Sequence, residues 1–171
     1  EERFLFLIFK WCGTAFPNLF VPTIKKQLRR EMSGVLLPEK REDQLKFIRE
    51  AHKANTTINL NHIGEAILGE EEAERRLQVY LDDLADRDID YISVKITTIF
   101  SQVNMIGWEE SLETLAERLR RLYRKAGNKF VNLDMEEYRD LHLTKDLFKK
   151  VLSEPEFHQL SAGIVLQAYL P

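Results

Sequence analysis

Two spacings of apolar residues take turns along most of this chain. Short runs alternate apolar and polar residues with a period of two, as in a strand whose side chains point to opposite faces. They fall at 57–61, 91–97, Phe130–Asp134 and 163–169. Between them, apolar residues recur every three or four positions, the period of a helix that buries one side. Ala73, Leu77, Leu81 and Leu84 make such a stripe in Glu70–Ala85, and Leu112, Leu115, Leu119 and Leu122 make one in Trp108–Ala126. Leu141–Leu152 supplies a third helix. Gly127 stands just past the second, where helix ends favour glycine, and Pro155 opens a further short turn. Residues 3–54 read as helical. Phe20, Ile24, Leu28 and Met32 share one stripe, with Pro22 expected near the start of that helix and Gly34 as its stop. Leu45, Ile48 and His52 continue the helical period.

The order is therefore βαβαβαβ. Strands joined by helices run parallel with right-handed crossovers, so the fold class is α/β. Two architectures fit: a doubly wound sheet and a (β/α)8 barrel. A dinucleotide-binding sheet wants a glycine-rich turn after its first strand. Here that turn is Asn61-His62-Ile63-Gly64-Glu65-Ala66, with one glycine, and no phosphate-loop motif occurs. The barrel is favoured. A complete barrel takes eight strands and about 250 residues. With four strands, the chain reads as the first half of a TIM-type barrel (55–171) preceded by a helical lead-in (1–54), a fragment of something longer.

Composition narrows the class further. The chain has 171 residues, 44% of them hydrophobic, with 25 Lys plus Arg against 28 Asp plus Glu, a net charge of −3. That apolar content supports a folded core and excludes disorder, and the near-zero charge gives no overall pull toward nucleic acid. Cys12 is the single cysteine, which excludes an intrachain disulfide and a cysteine zinc site. The apolar run at 4–9 ends at Lys10, far short of the roughly 20 residues that span a bilayer. Glu1, Glu2 and Arg3 do not resemble the basic start of a signal peptide, so a cytoplasmic location is expected.

Strand parity nominates candidate chemistry. If Ile92, Val94 and Ile96 face the surrounding helices, then Ser93, Lys95 and Thr97 face into the barrel. By the same parity Asn132 and Asp134 point inward, as do Gly163, Val165 and Gln167. Lys95, Asp134 and Gln167 thus form one polar layer near the C-terminal ends of three successive strands, the end of a barrel where ligands bind. A lysine within an apolar strand is costly unless its charge is matched. A plain structural bridge between Lys95 and Asp134 is the competing explanation. Asn59, Asn61 and Glu65 share a similar parity. Glu65, beyond the first strand, either reaches a cation or simply suits a helix N-terminus.

Other features carry less. Asp134, Glu136 and Glu137 suit a divalent cation, or helix-start chemistry. His52, His62, His142 and His158 lack a paired ligand spacing and are expected at the surface or satisfied locally. The basic stretches Lys25, Lys26, Arg29, Arg30 and Arg118, Arg120, Arg121, Arg124, Lys125 are expected to be solvated faces. No Ser or Cys sits in a nucleophile elbow.

In order and spacing, four segments resemble the proline dehydrogenase domain, especially that of bacterial bifunctional proline-utilisation flavoenzymes. They are Asn59-Leu60-Asn61-His62-Ile63-Gly64-Glu65-Ala66 with Leu68-Gly69-Glu70-Glu71-Glu72-Ala73, Tyr91-Ile92-Ser93-Val94-Lys95-Ile96, Phe130-Val131-Asn132-Leu133-Asp134-Met135-Glu136-Glu137-Tyr138, and Gly163-Ile164-Val165-Leu166-Gln167-Ala168-Tyr169-Leu170-Pro171. The resemblance implies a barrel that binds FAD without a dinucleotide fingerprint and oxidises L-proline to Δ1-pyrroline-5-carboxylate, in the catabolism of proline to glutamate. By resemblance, Lys95 pairs with the substrate carboxylate, Asp134 lies beside substrate and flavin with Met135 next to it, and Gln167 bonds the flavin ring. Glu65 pairs with a substrate-binding arginine and helps close the site. Asn61 stands where some members carry aspartate and is given no role.

The resemblance also implies quinone as electron acceptor, a location peripheral to the inner membrane, a possible homo-oligomer and a possible fused aldehyde dehydrogenase domain. The family's arginine pair comes from later strands, so residues 1–171 alone are expected neither to hold FAD tightly nor to oxidise proline. Two alternatives stay open. One is a non-catalytic half-barrel interaction module that pairs through its open edge strands. The other is a barrel enzyme using a divalent metal at Asp134 and Glu136.

Overall fold

The computed structural model describes residues 17–32, 35–38, 40–64, 67, 69–104, 106–135 and 137–169. The chain divides into two compact units, Glu1–Phe47 and Ile48–Pro171. The first contains helix α1 (Pro17–Glu31), and α2 (Arg41–Lys53) runs across the division. Pro22 lies inside α1 rather than at its start, because the helix already begins at Pro17. One intrahelical bond is forgone there, since proline has no N–H to donate. Leu28 and Met32 of the anticipated stripe are exposed. The stop at Gly34 lies outside the described residues.

The second unit is built on four parallel strands: β1 (Asn59–Asn61), β2 (Tyr91–Lys95), β3 (Phe130–Asp134) and β4 (Ala162–Ile164). Helix α3 (Glu70–Ala85) links β1 to β2. The short α4 (Ile96–Ile99) and long α5 (Trp108–Ala126) link β2 to β3. A 3-10 turn (Tyr138–Asp140), α6 (Leu141–Leu152) and a second 3-10 turn (Pro155–Phe157) lead to β4. The sheet order is β1-β2-β3-β4. A doubly wound sheet reverses its order at a switch point, whereas consecutive neighbours without reversal build a barrel wall.

Three strand limits differ from the alternation pattern. β1 is confined to Asn59–Asn61. β2 stops at Lys95, where the Thr98 hydroxyl donates to the Lys95 carbonyl at 2.8 Å and the Phe100 N–H bonds the Ile96 carbonyl at 3.1 Å. Thr97 therefore sits in a helical turn and not in a strand. β4 ends at Ile164, and only the Val165 N–H to Leu133 carbonyl bond (2.9 Å) carries the pairing further.

The apolar parity of the strands forms the core. Leu60, Ile92, Val94, Val131 and Leu133 are buried, together with Ala73, Leu77, Tyr80 and Leu84 of α3. Leu112, Leu115, Leu119 and Leu122 of α5 and Leu143, Leu147 and Val151 of α6 complete it. Each such leucine removed from water contributes about 1.5–3 kcal/mol before ordering costs. Gly127 closes α5 with φ +58°, a conformation that disfavours a side chain.

Arg118 and Arg120 of α5 correct the expectation of a solvated face, whereas Arg124 and Lys125 are exposed as expected. Arg118 and Arg120 are only 12% and 15% exposed. Arg118 bonds Glu70 and the Ile99 carbonyl and lies over the Phe100 ring. Arg120 meets Glu154 and Glu113, each at 2.9 Å. Arg121 pairs with Glu74 (2.6 Å) and Arg124 with Glu156 (2.7 Å). The long stems lie along apolar neighbours while the heads reach acids on adjacent segments, so this run ties α5 to α3 and to the turn before β4.

Candidate active site

Strand register puts the polar parity together. Lys95 of β2 is the register partner of Asp134 of β3. In the layer below, Asn61, Ser93, Asn132 and Gly163 are successive partners across all four strands. Register partners on parallel strands point to the same face. That face is opposite to the one formed by the buried Ile92, Val94, Val131 and Leu133. Lys95 and Asp134 are both half-buried at its C-terminal edge.

A hydrogen-bonded network converges on Asp134. Asn61 donates its amide N–H to Oδ2 at 2.8 Å, and Asn132 donates to Oδ1 at 2.7 Å. Asn132 also donates to Ser93 Oγ at 3.2 Å, which accepts from Asn59 at 2.9 Å. Gly163 makes the packing possible: a Cβ there would lie 2.9 Å from Asn132 Oδ1 and 2.9 Å from the Phe130 ring. That ring is held edge-on against Tyr91, with centroids 4.8 Å apart.

Next to this layer, Lys95, Ile96, Thr97, Asp134, Met135, Asp140 and Thr144 line a small cavity. Met135 is buried, immediately after β3. Asp140 is 4% exposed, and burial pushes its carboxyl above the ordinary value against the opposing pull of Arg139. The Thr144 hydroxyl is buried with no hydrogen-bond partner among the described residues. Past β1, His62 bonds the buried Asp83 at 2.5 Å and sets its ring edge against Tyr80, anchoring that loop to α3. The Tyr80 hydroxyl lies 3.4 Å from Thr98 Oγ1, and burial raises its pKa.

Of the nominated residues, the structure brings Lys95 and Asp134 side by side, with Met135 adjoining. Gln167 does not share their strand layer. It lies beyond the end of β4, half-buried, because pairing stops at Ile164. Glu65 and Glu136 lie outside the described residues. Among the described residues, no group of three or more His, Cys, Asp or Glu is placed to hold a metal, and no helix is long and apolar enough to cross a membrane. The part played by Asn61, Asn132 and Ser93 was missed from sequence. Their parity marked them as inward, but the reach of Asn61 to Asp134 depends on register between strands far apart in the chain.

A family model for proline dehydrogenase matches residues 44–171. The chain belongs to the proline dehydrogenase family. Among solved structures it is similar to Proline Utilization A (PutA) from Corynebacterium freiburgense, with 42% identity and a TM-score of 0.78, covering 85% of this chain and 16% of that one. It is also similar to PutA from Bdellovibrio bacteriovorus inactivated by N-propargylglycine, with 32% identity and a TM-score of 0.79, covering 90% of this chain and 19% of that one. The likeness to PutA from Bradyrhizobium japonicum, at 22% identity and a TM-score of 0.72, concerns the fold alone. This member of the proline dehydrogenase family thus spans less than a fifth of those chains. No curated protein matches it.

Proposed function

We propose that the protein carrying this chain is an FAD-dependent proline dehydrogenase that oxidises L-proline to Δ1-pyrroline-5-carboxylate. In this reading residues 1–54 are a lead-in and residues 55–171 the first half of the barrel. The observation that carries it is the register pairing of Lys95 with Asp134. Neighbouring strands are about 4.8 Å apart. A cation and an anion rooted on strands that far apart complement a zwitterionic α-amino acid, whose carboxylate and ring nitrogen are separated by one carbon.

The residues present suit a flavin at this edge. The Gln167 amide both donates and accepts, matching the mixed donors and acceptors of the isoalloxazine rim, and the inner face is polar where the outer face is apolar. Asp134, Met135 and Gln167 would hold it. When bound, FAD supplies the hydride acceptor.

The chain's own groups do the rest. Lys95 binds the proline carboxylate and sets the ring's orientation. Asp134 holds negative charge beside the ring nitrogen. The bound ring nitrogen first gives up one proton to water; from the neutral amine, positive charge then grows on that nitrogen as the adjacent carbon gives up hydride, so an anion fixed there stabilises the transition state more than the amine ground state. Glu65 pairs with an arginine on another part of the protein to exclude water. Quinone as final acceptor, a site peripheral to the inner membrane, a homo-oligomer and a fused aldehyde dehydrogenase domain belong to the same reading and rest on the family resemblance.

The test is anaerobic mixing of the purified protein with L-proline. Loss of the flavin's visible absorbance, absent with D-proline, is the expected result. A flavin-loaded protein whose spectrum proline leaves unchanged overturns the reading.

A further inference from the structure

We infer that Asn61 and Asn132 are positioning residues that clamp the Asp134 carboxylate from two sides, and that Gly163 provides the space in which Asn132 does so. The inference rests on the proline dehydrogenase reading for its kinetic consequence but not for its structural one.

Each carboxylate oxygen has its own amide donor, Asn61 on Oδ2 (2.8 Å) and Asn132 on Oδ1 (2.7 Å). A carboxylate only accepts, so both contacts turn the amide nitrogen toward Asp134. The two donors come from different directions. Asn132 precedes Asp134 on the same strand, whereas Asn61 reaches from β1 across β2. Two such bonds fix the plane of the carboxylate, where one would leave it free to rotate. Both donors are neutral and do not titrate in the physiological range. They orient the carboxylate without cancelling its charge, which a lysine or arginine in either place would do.

Asn132 is buried and its amide also donates to Ser93 Oγ. Its position is bounded on the other side by Gly163, where a methyl group would come within 2.9 Å of Asn132 Oδ1. The Phe130 ring, held by Tyr91, leaves that methyl no other direction. Gly163→Ala thus displaces Asn132 without touching Asp134 directly. All four strands contribute to the orientation of one carboxylate.

The experiment compares Asn61→Ala, Asn132→Ala and Gly163→Ala in the flavin-loaded protein with three measurements. These are the limiting rate of flavin reduction by proline, the dissociation constant of cyclopentanecarboxylate (which has the ring and carboxylate but no nitrogen), and the Asp134 rotamer by crystallography of each variant. Misorientation of a group acting in the transition state predicts a fall in reduction rate of about tenfold or more. Cyclopentanecarboxylate affinity should stay within about twofold, because Lys95 is intact. The carboxylate should be rotated in each variant structure. Asn61 lies outside the buried core, so Asn61→Ala keeps the test decisive if a buried variant fails to fold. An unchanged Asp134 rotamer, or an unchanged reduction rate, overturns the inference. If the unaltered protein is not reduced by proline, the dehydrogenase reading fails instead, and the rotamer measurement still decides the clamp.

Discussion

Replacing Lys95 with methionine removes one charge and keeps a side chain of similar length to pack at the end of β2. A charge-assisted hydrogen bond to the substrate carboxylate is worth about 1.5–3 kcal/mol, since its loss leaves a charge unpartnered. That range corresponds to roughly 10- to 150-fold in affinity. A second effect follows from the register. With Lys95 gone, the repulsion between Asp134 and the incoming carboxylate is no longer offset by the cation on the neighbouring strand. Two like charges about 5 Å apart repel by about 3 kcal/mol at an effective dielectric of 20, which the half-exposure of both side chains reduces. The net expectation is a rise in the proline KM of at least about tenfold, with Lys95→Arg recovering part of it. Steady-state dye reduction with proline measures this, and pyrrolidine serves as the control because it lacks the carboxylate. A KM within about twofold of the parent would refute the reasoning. So would an equal loss with pyrrolidine, since Lys95 would then act on something other than the carboxylate.

Three further outcomes follow from the packing and charge pairs of the second unit. Tyr123 is buried against Phe157 with a hydroxyl that has no partner among the described residues, so Tyr123→Phe should raise the urea midpoint, by about 1 kcal/mol of stability; a lower midpoint would count against it. Burial raises the Asp140 carboxyl above its ordinary value near 3.8, so the folded state binds this proton more tightly and stability declines as pH rises from that value through the raised one. Asp140→Asn should remove that decline in thermal melts across the acid range, and a constant gap between parent and variant at every pH would contradict it. Glu113 is held below 4.5 by hydrogen bonds from Arg120 and Lys150, so its contribution is present above that pH and is lost as pH falls through the lowered value. Arg120→Ala should therefore destabilise the protein near neutral pH and flatten its acid unfolding curve, which circular dichroism against pH would register.

Local periodicity was enough for most of the elements around the site. The limits of β3, α3, α5 and α6 follow from alternation or a helical stripe, because burying one face is a demand that each segment meets by itself. The inward parity of Ser93, Lys95, Asn132 and Asp134 was legible for the same reason. Strand ends were not: β2 stops at Lys95 because the Thr98 hydroxyl takes its carbonyl, and β4 stops at Ile164, which leaves Gln167 outside the strand layer. Nor was the covering of Arg118 and Arg120, because acids they meet, Glu70 and Glu154, are contributed by other segments.

Register required the assembled sheet. Nothing in the spacing of Lys95 and Asp134 makes them neighbours; the pairing of β2 with β3 does. Nor does any local pattern join Asn61 to Asp134, 73 residues away and two strands over. One-dimensional order decides which face a side chain occupies, because that depends on its immediate neighbours in the strand. The partner it meets there depends on how distant strands align, and only the folded sheet sets that alignment.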